Sequence, residues 1–119
     1  MIQAKLMQMI LFVREMDRSV HFYRDVLGLE VVYPQAPLED YASEMWVEFD
    51  AGGCALALHG GAKKPTEDSH EVIFKVEDLV QARQEILKAG IQIAEIRLLE
   101  DGAPIAEGVD PDGHRFAIR

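Results

Sequence analysis

Apolar and polar residues alternate over residues 6–13, 29–34, 45–50 and 54–59, and again over 71–76, 91–98, 104–109 and 114–119; each stretch predicts a strand. Between the first two strands of each set the apolar spacing lengthens to a helical one. Phe22, Tyr23, Val26 and Leu27 share a face of a helix predicted over residues 18–27, with Asp17 as its cap and Gly28 free to turn left-handed just past its end. Asp78 and Gly90 bracket a second helix in the same way. Each half of the chain therefore reads βαβββ.

The halves also match residue by residue. Ile10–Met16 aligns with Ile73–Leu79 at an offset of 63, Val26–Val31 with Lys88–Ile93 at 62, and Asp50–Gly53 with Asp110–Gly113 at 60, the last pair as matching turns. The polar, Gly- and Pro-containing stretch 61–69 reads as a linker between a module 1–60 and a module 70–119. Neither half is long enough to bury a sufficient core alone, so the two are expected to pair into one domain. The fold class is α+β, with helices on the outer face of the sheet.

Strand parity sorts the side chains into two sets. Met9, Leu11, Val13, Leu56, Leu58, Val72, Phe74, Val76, Phe116 and Ile118 form an apolar set suited to packing beneath the helices. The opposite face is mixed and carries Gln8, Ile10 and Phe12, Trp46 and Glu48, Ala55, Ala57 and His59, Glu71, Ile73 and Lys75, and Arg115, Ala117 and Arg119. Such a face suits a solvated surface or the lining of a ligand cleft, and the large aromatics Phe12 and Trp46 favour the cleft.

Composition narrows the partners. The 119 residues, 49% hydrophobic, suffice for one domain, and 12 Lys and Arg against 21 Asp and Glu give a net charge of -9, which repels phosphate backbones and anionic lipid. Neither nucleic acid nor membrane is expected as a partner. Cys54 is the sole cysteine, so no internal disulfide and no zinc-type Cys pair exists, as suits a reducing cytoplasm. The N-terminal stretch alternates and has no basic leader or long apolar run, and is read as the first strand.

The segment Val13–Leu29, with Asp17-Arg18-Ser19, then Phe22-Tyr23, then Leu27-Gly28-Leu29, resembles the opening module of the vicinal oxygen chelate superfamily, which includes glyoxalase I, bleomycin-resistance proteins and extradiol dioxygenases. Asp110–Phe116 resembles that family's final hairpin, and with the repeat the resemblance covers essentially the whole chain. It implies paired βαβββ modules folding a curved mixed sheet around a cleft, commonly as a homodimer. It also implies a divalent metal held by His, Gln or Glu from the first and last strands of each module, positions that fall on Gln8, Ala57, Glu71 and Ala117. Alanine has no donor atom, so two of the four positions are empty.

Two readings follow from this. In the first, the protein is a glyoxalase/bleomycin-resistance-like binder of a small organic molecule that needs no metal or other cofactor, its cleft lined by Gln8, Phe12, Trp46, Glu48, His59, Glu71 and Arg115. In the alternative, Gln8, His59 and Glu71 form a displaced divalent-metal site supporting a lyase, isomerase or dioxygenase, although a two-residue step along a strand moves a side chain roughly 6 to 7 Å. A regulatory or partner-binding subunit that keeps the fold without a working cleft is a further alternative. Of the other candidates, Glu71 has an ion pair with Lys75 or an arginine as its competing role, while His21, His70 and Cys54 are expected to be incidental and the side-chain direction of His114 is open. Residues 34–43 form either a flap over the cleft or an ordinary surface loop.

Overall fold

A computed structural model describes residues 3, 8–65 and 71–119. The chain divides into two compact units, Met1–Lys64 and Pro65–Arg119. In the first, β1 (Gln8–Phe12) leads into α1 (Met16–Val20), which continues without a break as a wider π-helical stretch (His21–Val26), followed by β2 (Glu30–Tyr33), β3 (Trp46–Asp50) and β4 (Ala55–His59). The second unit repeats the order with β5 (Glu71–Phe74), α2 (Leu79–Lys88), β6 (Arg97–Leu98), β7 (Pro104–Val109) and β8 (Arg115–Ile118). The βαβββ reading of both halves holds.

Each unit carries a four-stranded mixed sheet. The orders are β1-β4-β3-β2 and β5-β8-β7-β6, with β1 parallel to β4, β5 parallel to β8, and the remaining neighbours antiparallel. The parallel pairs arise because a helix carries the chain from the first strand and three sequential strands then return to it.

The parity sorting describes the packing well in the first unit. Leu11, Val13, Leu56 and Leu58 are buried with Val47 and Phe49, beneath Met16, Val20, Phe22 and Tyr23 of the helix. The Tyr23 and Phe49 ring centroids are 6.0 Å apart. Burying a ring such as Phe49 contributes about 1.5–3 kcal/mol. In the second unit Phe116 and Ile118 are buried with Ile86 of α2, whereas Val72, Phe74 and Val76 are only half-buried.

Three expectations are corrected. The first helix begins at Met16, so Asp17 lies in its first turn and caps nothing; its Oδ1 accepts the Tyr41 backbone N–H at 2.8 Å, tying the 34–43 segment to the helix. Asp78 does cap α2, accepting from the Gln81 N–H at 3.1 Å. Gly28 and Gly90 take the positive φ values, 78° and 79°, that close the two helices.

The strand expected over residues 91–98 contracts to Arg97–Leu98 plus a bridge between Ile93 and Gly108. Arg83 of α2 donates to the Ala94 carbonyl at 2.7 Å, so that carbonyl points to the helix rather than along a ladder.

The third correction concerns the repeat. The β3–β4 turn closes through Ala51 N–H to the Cys54 carbonyl, whereas the β7–β8 turn closes through Asp110 N–H to the His114 carbonyl. The second turn is one residue longer, so Asp110 corresponds to Ala51 rather than to Asp50. Of the strand expected over 6–13, residues 6 and 7 lie outside the described residues, as do residues 66–69 of the linker.

Candidate ligand-binding site

In the first unit Gln8, Phe12, Trp46, Glu48 and His59 share the sheet face opposite the helix. Gln8 is level with Ala55 on β4, and Glu48 on β3 is level with Ala57, so both look across the same pair of alanines. Strands two apart are separated by roughly 9 to 10 Å, a gap that only long side chains leaning over a short one can bridge. Gln8 Nε2 donates to Glu48 Oε1 at 3.0 Å across that gap, and Trp46 Nε1 donates to the same oxygen at 3.4 Å. At the far end of the strands Phe12 is level with His59, their rings 5.0 Å apart, and Trp46 stands edge-on to His59 at 6.0 Å. The His59 Nδ1 lies 2.6 Å from the Gly60 carbonyl oxygen. The structure therefore brings Gln8, Trp46 and Glu48 together and gathers Phe12 and His59 around Trp46. It sets Gln8 four residues along the ladder from His59, roughly 13 Å.

The second unit repeats this plan with charges. Glu71 on β5 is level with Arg115 on β8, and Glu107 on β7 is level with Ala117, so the two carboxylates face one another across β8 as Gln8 and Glu48 do across β4. Arg97 donates from Nε at 2.8 Å and from Nη2 at 2.6 Å to Glu107 Oε1. Arg115 Nη2 reaches Glu71 Oε2 at 3.4 Å. Glu71 Oε1 is buried with no hydrogen-bond donor. Burial pushes the Glu71 carboxyl above its ordinary range; the charge of Glu107 and a hydrogen bond to it add to the rise, against Arg115 and Arg97. The bond from Arg97 holds Glu107 below the ordinary range. Beside these groups a cavity of about 380 Å³ opens, walled by Ile93, Ala94, Gly108 and Val109 with Glu107, Arg115 and Gln92.

Glu107 and Arg97 are the site residues that sequence reasoning misses. The 60-residue offset taken through the turns places Gly108, not Glu107, opposite Glu48. The true offset on the strand entering the hairpin is 59, since 107 − 48 = 59, while Ala57 and Ala117 keep 60. Arg97 was hidden because its segment reads as an eight-residue strand with no register to assign. A doubled carboxylate opposite a doubled alanine was the available signal.

The remaining candidates lie apart from this face. His21 is exposed and pairs with Asp25 at 2.9 Å. His114 is buried, its backbone N–H donating to Asp110 Oδ1 at 2.8 Å. Cys54 is half-buried, with Sγ 3.5 Å from the Ala55 carbonyl oxygen. The 34–43 segment is anchored to the helix through buried Tyr41, whose ring lies under the Arg24 guanidinium at 5.4 Å. His70 lies outside the described residues.

A divalent ion needs several converging donors with free lone pairs. Within the first unit Gln8 and Glu48 are bonded to one another beside Ala57; within the second, guanidinium groups engage both carboxylates beside Ala117. Among the described residues no three His, Cys, Asp or Glu side chains are grouped to hold a metal. Within each unit these donors do not fit a divalent-ion site.

Two βαβββ units, each presenting polar side chains on the sheet face opposite its helix, define the class of paired-module α+β proteins. A family model described as the Glyoxalase/Bleomycin resistance protein/Dioxygenase superfamily matches residues 5–118, and the chain belongs to that superfamily. Similar solved structures include the fosfomycin resistance protein FosX from Mesorhizobium loti, at 20% identity over 99% of this chain and 92% of that one with a TM-score of 0.75. A glyoxalase family protein from Enterococcus faecalis matches at 19% identity over 99% and 98% with a TM-score of 0.77, and a glyoxalase/dioxygenase from Nostoc punctiforme at 24% over 97% and 89% with a TM-score of 0.77. At these identities the likeness carries the fold alone. No match was found among curated proteins. Among the described residues no helix is long and apolar enough to cross a membrane.

Proposed function

We propose that this protein binds a small organic molecule on the polar sheet faces of its modules and does so without a divalent metal. One observation carries the reading: at the two positions where the family's last strands would supply a ligand stand Ala57 and Ala117, and the neighbouring carboxylates are taken up by protein donors, Glu48 by Gln8 and Trp46 and Glu107 by Arg97. A carboxylate bonded to a guanidinium has its charge already compensated, so a divalent cation would have to displace the arginine. The aromatic group of Phe12, Trp46 and His59 supplies contact area for an organic ligand, and Phe12 is 54% exposed.

Pairing with a second copy is part of this proposal, supported by the exposed apolar side chains Ile10 and Ile73. Sedimentation equilibrium distinguishes a dimer from a monomer directly. The metal question is tested by elemental mass spectrometry on untagged protein purified without chelator, followed by thermal-shift titration with manganese, nickel and zinc. The expected result is substoichiometric metal and no rise in melting temperature. A stoichiometric ion that stabilises the protein and is lost in Gln8→Ala or Glu71→Gln would sink the metal-free reading.

A further inference from the structure

The two arginines beside the second unit's cavity are engaged very differently. Arg97 places two N–H groups on one oxygen of Glu107, at 2.8 and 2.6 Å, and is absent from the cavity wall. Arg115 lies on that wall and makes a single 3.4 Å contact with Glu71, its side chain 48% exposed. A guanidinium has five N–H donors in a planar fork, so Arg115 keeps most of its capacity for a further acceptor at the cavity.

The carboxylates next to it are poorly placed to receive a cation. Glu107 Oε1 already accepts two bonds, and Glu71 Oε1 is sealed from the surface with its other oxygen turned to Arg115. What the cavity offers a ligand is therefore one cationic fork, a Glu107 carboxylate whose charge Arg97 already compensates, the Gln92 position, and the apolar wall of Ile93, Ala94 and Val109.

We propose that the second unit's cavity takes a small organic monoanion with an apolar body, its carboxylate or equivalent oxyanion held by Arg115 in place of the long contact with Glu71. This rests on the small-molecule reading above and names the ligand class for it. The geometry favours an oxyanion because two parallel N–H groups match two oxygens of one acidic group. Glu71 then acts as the competitor that the ligand displaces, and Arg97 keeps Glu107 from taking its place.

Benzoate and benzamidine share a shape and carry opposite charges, and both are small against a cavity of about 380 Å³. Each is titrated into the full-length protein while backbone amide shifts are followed by NMR. Benzoate is expected to shift the amides of Gln92, Ala94, Gly108 and Val109 and to bind at least about tenfold more tightly than benzamidine, the scale of one charge-assisted contact. Arg115→Gln is expected to lose that preference, Glu71→Gln to strengthen benzoate binding, and Arg97→Lys to leave it within about threefold, since a cation still faces Glu107. The amide spectrum and circular dichroism of each variant confirm that it folds. Benzamidine binding as tightly as benzoate in this cavity overturns the anion assignment and leaves the small-molecule reading standing. Benzoate affinity unchanged in Arg115→Gln, or no benzoate-induced shift at these amides, also overturns it, whereas the metal titration above decides the reading beneath it.

Discussion

Glu107 stands directly across the β7–β8 ladder from Ala117, and that alanine, fully buried, is what lets the Glu107 carboxyl lean toward Glu71 on the far strand. A longer side chain at 117 would fill the space over β8. Ala117→Leu is expected to cost about 1–3 kcal/mol from overpacking. Removing the neighbouring charge with Glu107→Gln should move the Glu71 carboxyl partway back toward the ordinary glutamate range, burial keeping the rest of the rise. Urea unfolding reads the first effect, and carbon-detected NMR titration of the glutamate carboxyls reads the second. An unchanged Glu71 titration in a folded Glu107→Gln protein would mean that Glu107 is not what Glu71 feels.

That relationship also marks where sequence reading stops. Alternation alone puts Gln8, Trp46 and Glu48 on one face of the first unit's sheet and Glu71 and Arg115 on one face of the second's, because every strand with clean period two declares its faces once the apolar set is known. The repeat located the two alanines. Glu107 was out of reach because its strand enters a turn one residue longer than the corresponding turn in the first unit, and a single residue of slip exchanges the faces. Asp17 was misread because an acidic residue before an apolar run has the form of a cap, yet its oxygen is claimed by the Tyr41 N–H, a partner 24 residues away that local pattern does not contain.

The opposed shifts of the carboxylate pair give a pH signature. Glu71 holds its proton more tightly in the folded protein than in the unfolded chain, so its contribution makes stability fall as pH rises from the ordinary glutamate range to its raised value. Glu107 does the reverse: its stabilisation is present above the ordinary range and is lost as pH falls through its lowered value. Glu71→Gln removes the first effect and keeps a neutral side chain of the same length. Its melting temperature is expected to exceed that of the wild type at about pH 8.5 and to converge with it at about pH 3, below the ordinary glutamate range, where Glu71 is protonated in both states. A Glu71→Gln protein less stable than wild type at the higher pH would show that the contact with Arg115 outweighs burial.

The Asp17–Tyr41 bond separates an anchoring role from a capping one. Asp17→Ala leaves the Tyr41 N–H without its side-chain acceptor in a half-buried setting, at a cost of about 1 kcal/mol. Hydrogen exchange is expected to accelerate at Tyr41 while the amides of α1 keep their protection, whereas loss of a cap would expose the first turn of the helix. Asp17→Asn retains an acceptor oxygen and should restore most of the protection at Tyr41.

Gly108 holds the wall of the second unit's cavity to the sheet. A Cβ there would meet the Gln92 carbonyl oxygen at 2.5 Å and the Phe116 ring at 3.0 and 3.1 Å. The first neighbour is backbone, bonded through that same oxygen to the Val109 N–H at 3.1 Å, so it cannot swing aside as a side-chain end would. Gly108→Ala must either push the 92–94 segment off β7 or shift the Phe116 ring within the core. Either route is expected to cost about 1–3 kcal/mol by urea unfolding. If the segment moves, exchange at the Ala94 and Val109 amides, which bond across this junction, will rise before any other amide of the unit and benzoate binding at Arg115 will weaken with it. If Phe116 moves instead, those two amides keep their protection and the loss appears in the packing of the buried Phe116 ring.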